Sequence, residues 1–112
     1  MGYKIKSRIW IESDNNVLLG EGRVHLLKAI DDTGSLSKAA KSLKISYKKA
    51  WQLLDSVNKS AKKPVTINII GGKGGGGAEL TEYGKSLIEA FDEINKNCWK
   101  FLDEQLEKIK SL

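Results

Sequence analysis

The stretch from Gly34 to Lys63, GSLSKAAKSLKISYKKAWQLLDSVNKSAKK, leaves the chain little choice of local structure. After Ser35, residues Leu36, Ala39, Ala40 and Leu43 recur at helical spacing and form one apolar face. The Ser35 hydroxyl can accept a hydrogen bond from an otherwise unpaired amide of the first helical turn. Two adjacent alanines let a second helix cross closely. Lys44 and Ile45 form a tight turn, with Ile45 plugging the angle between the helices. Ser46 caps the second helix, whose inner face is Ala50, Leu53, Leu54, Val57 and Ala61. The stretch therefore reads as a helix-turn-helix.

The outer side of the second helix has a different chemistry. Ser46, Tyr47, Lys48, Lys49 and Gln52 fall in its first two turns and need not be buried. Hydroxyls, amines and an amide are the groups that reach phosphates and base edges in the major groove. Helix-turn-helix proteins place the N-terminal part of their second helix there. Lys38, Lys41, Lys44, Lys48, Lys49, Lys59, Lys62 and Lys63 lie in this stretch against a single acid, Asp55. A solvated basic surface on an ordinary helical hairpin is the plainer interpretation. The agreement of pattern with charge favours double-stranded DNA.

The formal net charge of +5 is consistent with a polyanionic partner. It belongs to the middle of the chain, because Glu79, Glu82, Glu89, Asp92, Glu93, Asp103, Glu104 and Glu107 cluster late. A chain of 112 residues makes one small domain with a modest core, which dimerisation would help. The single cysteine, Cys98, excludes an intrachain disulfide and suits a cytoplasmic protein. No apolar run approaches the ~18 residues of a membrane span, so no membrane partner is expected. Charges interrupt the apolar N-terminus, which is not a signal peptide.

Tyr3 to Glu12 alternates as a half-buried strand does, with Tyr3, Ile5, Ile9 and Ile11 on one side. Ser13 to Asn16 is a turn, and Val17 to Leu19 returns as a second strand. Trp10 lies on the charged side, either shielded by lysine and arginine stems or in contact with a second subunit. A first helix runs from Glu21 to Asp32 on the stripe Val24, Leu27 and Ile30, with Leu26 and Ala29 beside it, and stops at Gly34. His25 is the only histidine, and with no other such ligand near it in sequence no metal site is expected.

Beyond Pro64, the β-branched run Val65 to Ile70 reads as a strand, followed by a glycine loop and a short return from Ala78 to Thr81. Together these make a wing, with Lys73, Gly74 and Gly75 near its tip. The loop matches G-x-G-x-x-G only as any glycine run does, and no helix follows it as a dinucleotide fold requires. Thr81 caps a last helix reaching about Lys110. On it, Leu87, Phe91, Ile94, Cys98 and Phe101 form a seam of the coiled-coil kind, flanked by Trp99 and Leu106. A second copy of the chain is the simplest partner for that seam, and packing over the N-terminal strands is the alternative.

In combination, GSLSKAAKSLKISYKKAW, Asn58 and GGKGGGGAELTEYG resemble the N-terminal DNA-binding domain of the ModE family of molybdate-responsive regulators. The resemblance covers about Gly20 to Phe91. It implies an α+β fold, a winged helix-turn-helix related to the LysR type, with an N-terminal β-hairpin and a long C-terminal dimerisation helix. The expected layout is a winged helix-turn-helix over residues 1–80 and the dimerisation helix over 81–112 of the same compact domain. The resemblance implies a homodimer on a palindromic operator, with Ser46, Tyr47, Lys48, Gln52 and the glycine loop with Lys73, Gly74 and Gly75 at the DNA, and the residue reading adds Ser35 and Lys49. The resemblance also implies dimerisation through the long helix and N-terminal elements, where the seam and Trp10 give Trp10, Leu87, Phe91, Ile94, Cys98 and Phe101 as the expected interface, and leaves open whether Trp51 is core or DNA-facing. Family members continue into oxyanion-binding domains that hold molybdate or tungstate. Nothing in this sequence reproduces them, so no cofactor is expected, and a separate effector-sensing protein is a candidate partner. The expectation is a transcription regulator without catalysis, connected with molybdenum or tungsten. The alternative is an oxyanion-binding or adaptor protein that uses the glycine loop without DNA.

Overall fold

The computed structural model describes residues 2–69 and 77–112. The order of elements is β1 (Trp10–Ser13), β2 (Asn16–Gly20), α1 (Glu21–Thr33), α2 (Leu36–Ser42), α3 (Tyr47–Ser60), β3 (Thr66–Ile69), β4 (Gly77–Leu80), α4 (Glu82–Gln105) and α5 (Glu107–Lys110). This is a winged helix-turn-helix with an N-terminal hairpin and a long C-terminal helix.

Local chemistry accounts for most of the boundaries. Asp14 and Asn15 both adopt positive φ, 50° and 70°, which closes β1 and β2 into a two-residue hairpin of the primed kind. Gly34 ends α1 at φ 71°, in the left-handed region that a side chain would disfavour, and its amide donates to the Ile30 carbonyl. Ser35 Oγ accepts from the Lys38 amide at 3.2 Å, Ser46 Oγ from Lys49 at 3.0 Å and Thr81 Oγ1 from Gly84 at 2.9 Å. Each such cap is worth about 1 kcal/mol. All three helix starts therefore follow from hydroxyls visible in the sequence.

The N-terminal strand is shorter than its alternation suggests. Residues 2–9 form no strand, and pairing begins at Trp10, opposite Gly20. The alternation itself survives as burial, with Ile5, Ser7 and Ile9 half-buried and Lys4, Lys6 and Arg8 exposed. A ladder needs a partner, and β2 has only five residues to pair with β1. Residues 2–9 instead approach α4, where Ser7 Oγ lies 3.8 Å from Cys98 Sγ.

Two apolar clusters share the interior. One holds Leu26, Ala29, Ile30, Ala39, Ala40, Ala50 and Ala78, with Leu36, Leu43 and Ile45 against it, and sits beneath the helix-turn-helix. Its four helix-borne alanines at α1, α2 and α3 let the three helices meet closely. The other holds Leu19, Val24, Leu27, Val57, Val65, Leu80, Ile88 and Phe91 and joins the hairpin, α1, the wing base and the start of α4. Phe91 is the last residue of α4 in this core. Beyond it the helix projects, and the molecule measures 62 × 30 × 22 Å with a radius of gyration of 17.1 Å. A compact domain of this size would have about 13 Å.

Candidate nucleic-acid interface

The turn between α2 and α3 sets the angle at which α3 leaves α2. Lys44 takes a left-handed φ of 59°, and the Lys44 and Ile45 amides donate back to Lys41 and Ala40. This is the helix-ending motif usually built with glycine at that position. Ile45, half-buried, packs on the alanine-rich cluster and holds the angle between the two helices.

On α3 the division between faces is sharp. Ala50 and Val57 are buried and Leu53 and Leu54 half-buried, while Tyr47, Lys48, Lys49, Trp51 and Gln52 face solvent. Tyr47 is 57 % exposed although aromatic. Ser46 spends its acceptor on the helix cap, which leaves its O–H to donate outward. Ser35 does the same at the start of α2. Ser46, Tyr47, Lys48, Lys49 and Gln52 thus come together on one exposed end, and Ser35 stands at the head of the neighbouring helix.

Among the described residues, Lys38, Lys41, Lys44, Lys48 and Lys49 form no ion pair. Lys59 does, with Asp55 at 2.8 Å, and Lys63 lies 5.9 Å from the Tyr83 ring centroid. Five lysines without an ion pair thus stand together at the α2–turn–α3 end, where they are available to a polyanion.

Two features escape a reading of the sequence. Trp51 is 51 % exposed, so it belongs to the surface rather than the core. It lines a cleft of about 360 Å³ between α3 and the tip of the N-terminal hairpin, with Ser13, Asn16 and Gln52. The Asp-Asn turn signals a hairpin but not that its tip would flank α3. Asn58 is the second feature. Its Oδ1 accepts from the Val65 amide at 2.8 Å and its Nδ2 donates to Thr66 Oγ1 at 3.2 Å, tying α3 to the base of β3.

Lys73, Gly74 and Gly75 lie outside the described residues. The strands that carry them are paired from Thr66 opposite Leu80 to Ile69 opposite Gly77. Among the residues named for a dimer interface, Phe91 requires correction. It is 3 % exposed and packed in the core of its own chain, so it has no surface to offer a partner. Leu87 and Cys98 are half-buried, whereas Trp10, Ile94 and Phe101 are 56 %, 50 % and 57 % exposed. The Trp10 indole N–H donates to Glu12 Oε2 at 3.0 Å. His25 is exposed, and among the described residues no group of three or more His, Cys, Asp or Glu could hold a metal ion. No described helix is long and apolar enough to cross a membrane.

A scan against protein-family models finds no match. The chain is 32 % identical over 106 residues to the molybdenum transport protein ModE of Azotobacter vinelandii, covering 95 % of this chain and 39 % of that protein. It is 46 % identical over 81 residues to the DNA-binding transcriptional dual regulator ModE of Escherichia coli, covering 72 % of this chain and 31 % of that one. The chain thus spans well under half the length of these relatives. Among solved structures, ArgP from Mycobacterium tuberculosis matches 79 % of this chain and 30 % of its own with a TM-score of 0.51 and 17 % identity, a likeness of fold.

Proposed function

This chain belongs to the ModE family of transcriptional regulators, and on that premise we propose that it is a DNA-binding regulator of molybdenum- or tungsten-related genes that grips a palindromic operator as a homodimer. The observation that carries the proposal is the exposed start of α3. There Tyr47, Lys48, Lys49 and Gln52 stand free of the core amid lysines that form no ion pair among the described residues.

In this reading the lysines and the capped helix starts anchor phosphates, and Lys48 and Gln52 reach base edges. Lysine suits guanine O6 and N7, and glutamine suits adenine N6 and N7. The second recognition helix would come from a second copy, joined along the far half of α4 through Ile94 and Phe101, with Trp10 at its margin. Successive major grooves on one face place half-sites ~34–36 Å apart. Lys73, Gly74 and Gly75 would follow the backbone beside the groove. An effector-sensing protein acting on this dimer is part of the same proposal.

The test is binding of fluorescent duplexes selected from genomic fragments, with sedimentation to give the stoichiometry. Two chains per duplex, and an affinity that falls steeply with salt, are expected. A single chain in solution, or no preference among duplexes at low salt, would overturn the proposal. A thermal shift with molybdate or tungstate in a chain that ignores DNA would favour the oxyanion-binding alternative.

A further inference from the structure

Besides the buried Ile88 and Phe91, the joint between α4 and the body has two polar pins, the second between half-exposed side chains. At the first, Thr81 Oγ1 donates to the Pro64 carbonyl at 2.7 Å, its amide donates to the Val65 carbonyl at 2.9 Å, and its hydroxyl caps Gly84. The helix backbone comes so close here that a Cβ on Gly84 would stand 2.4 Å from the Val65 carbonyl oxygen. Any side chain at Gly84 would push α4 off the linker between α3 and β3. At the second pin, Lys28 Nζ on α1 meets Asp92 Oδ2 at 2.9 Å, directly beside Phe91, where α4 leaves the core.

With Ile88 and Phe91 packed in the core between and beside them, the two pins trim the direction of the rod. From Gly84 to Asp92 is ~12 Å of helix, and from Gly84 to Phe101 ~25 Å. A slip of ~1 Å at Asp92 therefore becomes ~2 Å at Phe101, and a symmetry-related copy doubles it to ~4 Å, about one base-pair step of ~3.4 Å.

We propose that Lys28, Thr81 and Asp92 are positioning residues that set which half-site spacing the dimer accepts, by holding α4 at one angle to the recognition helix. This rests on the dimeric DNA-binding reading above. None of the three touches the duplex in that reading. Their substitution changes the distance between the two recognition helices and not the contacts of either one.

The test uses the full chain and a duplex library in which two fixed half-sites are separated by spacers that vary one base pair at a time. The unmodified chain should select one spacing. Lys28→Glu and Asp92→Lys should each broaden the choice, so that spacers one base pair longer or shorter bind within about threefold of the best. Affinity for a single half-site and the dimer state should stay as they are. The double exchange Lys28→Glu with Asp92→Lys restores the ion pair in reverse and should restore the sharp choice. Thr81→Val should broaden it and Thr81→Ser should not. Equal weakening at every spacing, or an unchanged choice in all the folded variants, would overturn this inference while leaving the parent reading standing. An unmodified chain that binds no duplex, or is a lone subunit, would overturn both.

Discussion

Two helices leave a broad face in solvent, and the two faces have opposite chemistry. The start of α3 exposes Tyr47, Lys48, Lys49 and Gln52, groups that carry charge or hydrogen bonds to whatever they meet. The far half of α4 exposes Ile94 and Phe101 on one face, groups that gain by leaving water. Isolated exposed apolar side chains are ordinary on a protein surface, but here they recur along one projecting helix. The difference teaches what each face lacks. The first suits a charged, hydrated polymer, and the second suits another apolar surface such as its own copy.

Two phenylalanines on α4 give the strongest way to break this comparison. Phe91→Ala removes a ring from the core and should destabilise the chain by about 3–5 kcal/mol, read by denaturant titration. Ile94→Ser with Phe101→Ser should leave the subunit folded and weaken self-association by about 2 kcal/mol or more, read by sedimentation across a dilution series. Equal losses of fold stability at both sites would show that α4 has no face reserved for a partner.

On α3 the expected effects are smaller. Lys48→Ala and Gln52→Ala should each lower the preference for the selected operator by about 1–3 kcal/mol, with helix content unchanged by circular dichroism. Ser46→Ala removes a cap and should cost about 1 kcal/mol in thermal stability. The least effect is expected at Lys44. Replacing this left-handed lysine by glycine relieves backbone strain, and should raise stability by up to about 1 kcal/mol while removing one charge from the exposed basic end. A fall in stability instead would mean that the lysine stem contributes packing there.

The helix-turn-helix was legible because its determinants are local. Ser35, Ser46 and Thr81 cap helices by reaching three residues ahead, and Gly34 stops α1 by its own φ. What the sequence could not decide was non-local. Alternation from Ile5 to Ile9 encodes which side faces protein, whereas Tyr3 is exposed, and a strand also needs a partner edge, which β2 does not offer that far. The seam on α4 treats Phe91 and Phe101 alike, because periodicity does not say where the body ends along the helix. Trp51 occupies the flank between the buried and exposed faces of α3. Only the position of the hairpin tip settles its place.

Asn58 carries one more consequence. Both ends of its amide are engaged, one on the backbone of Val65 and the other on Thr66, so the C-terminal half of α3 and the root of the β3–β4 hairpin are clamped together. A duplex entering this molecule would meet a caliper with a preset opening rather than two fingers that close independently. A rotation of α3 about its axis would carry the root of that hairpin with it.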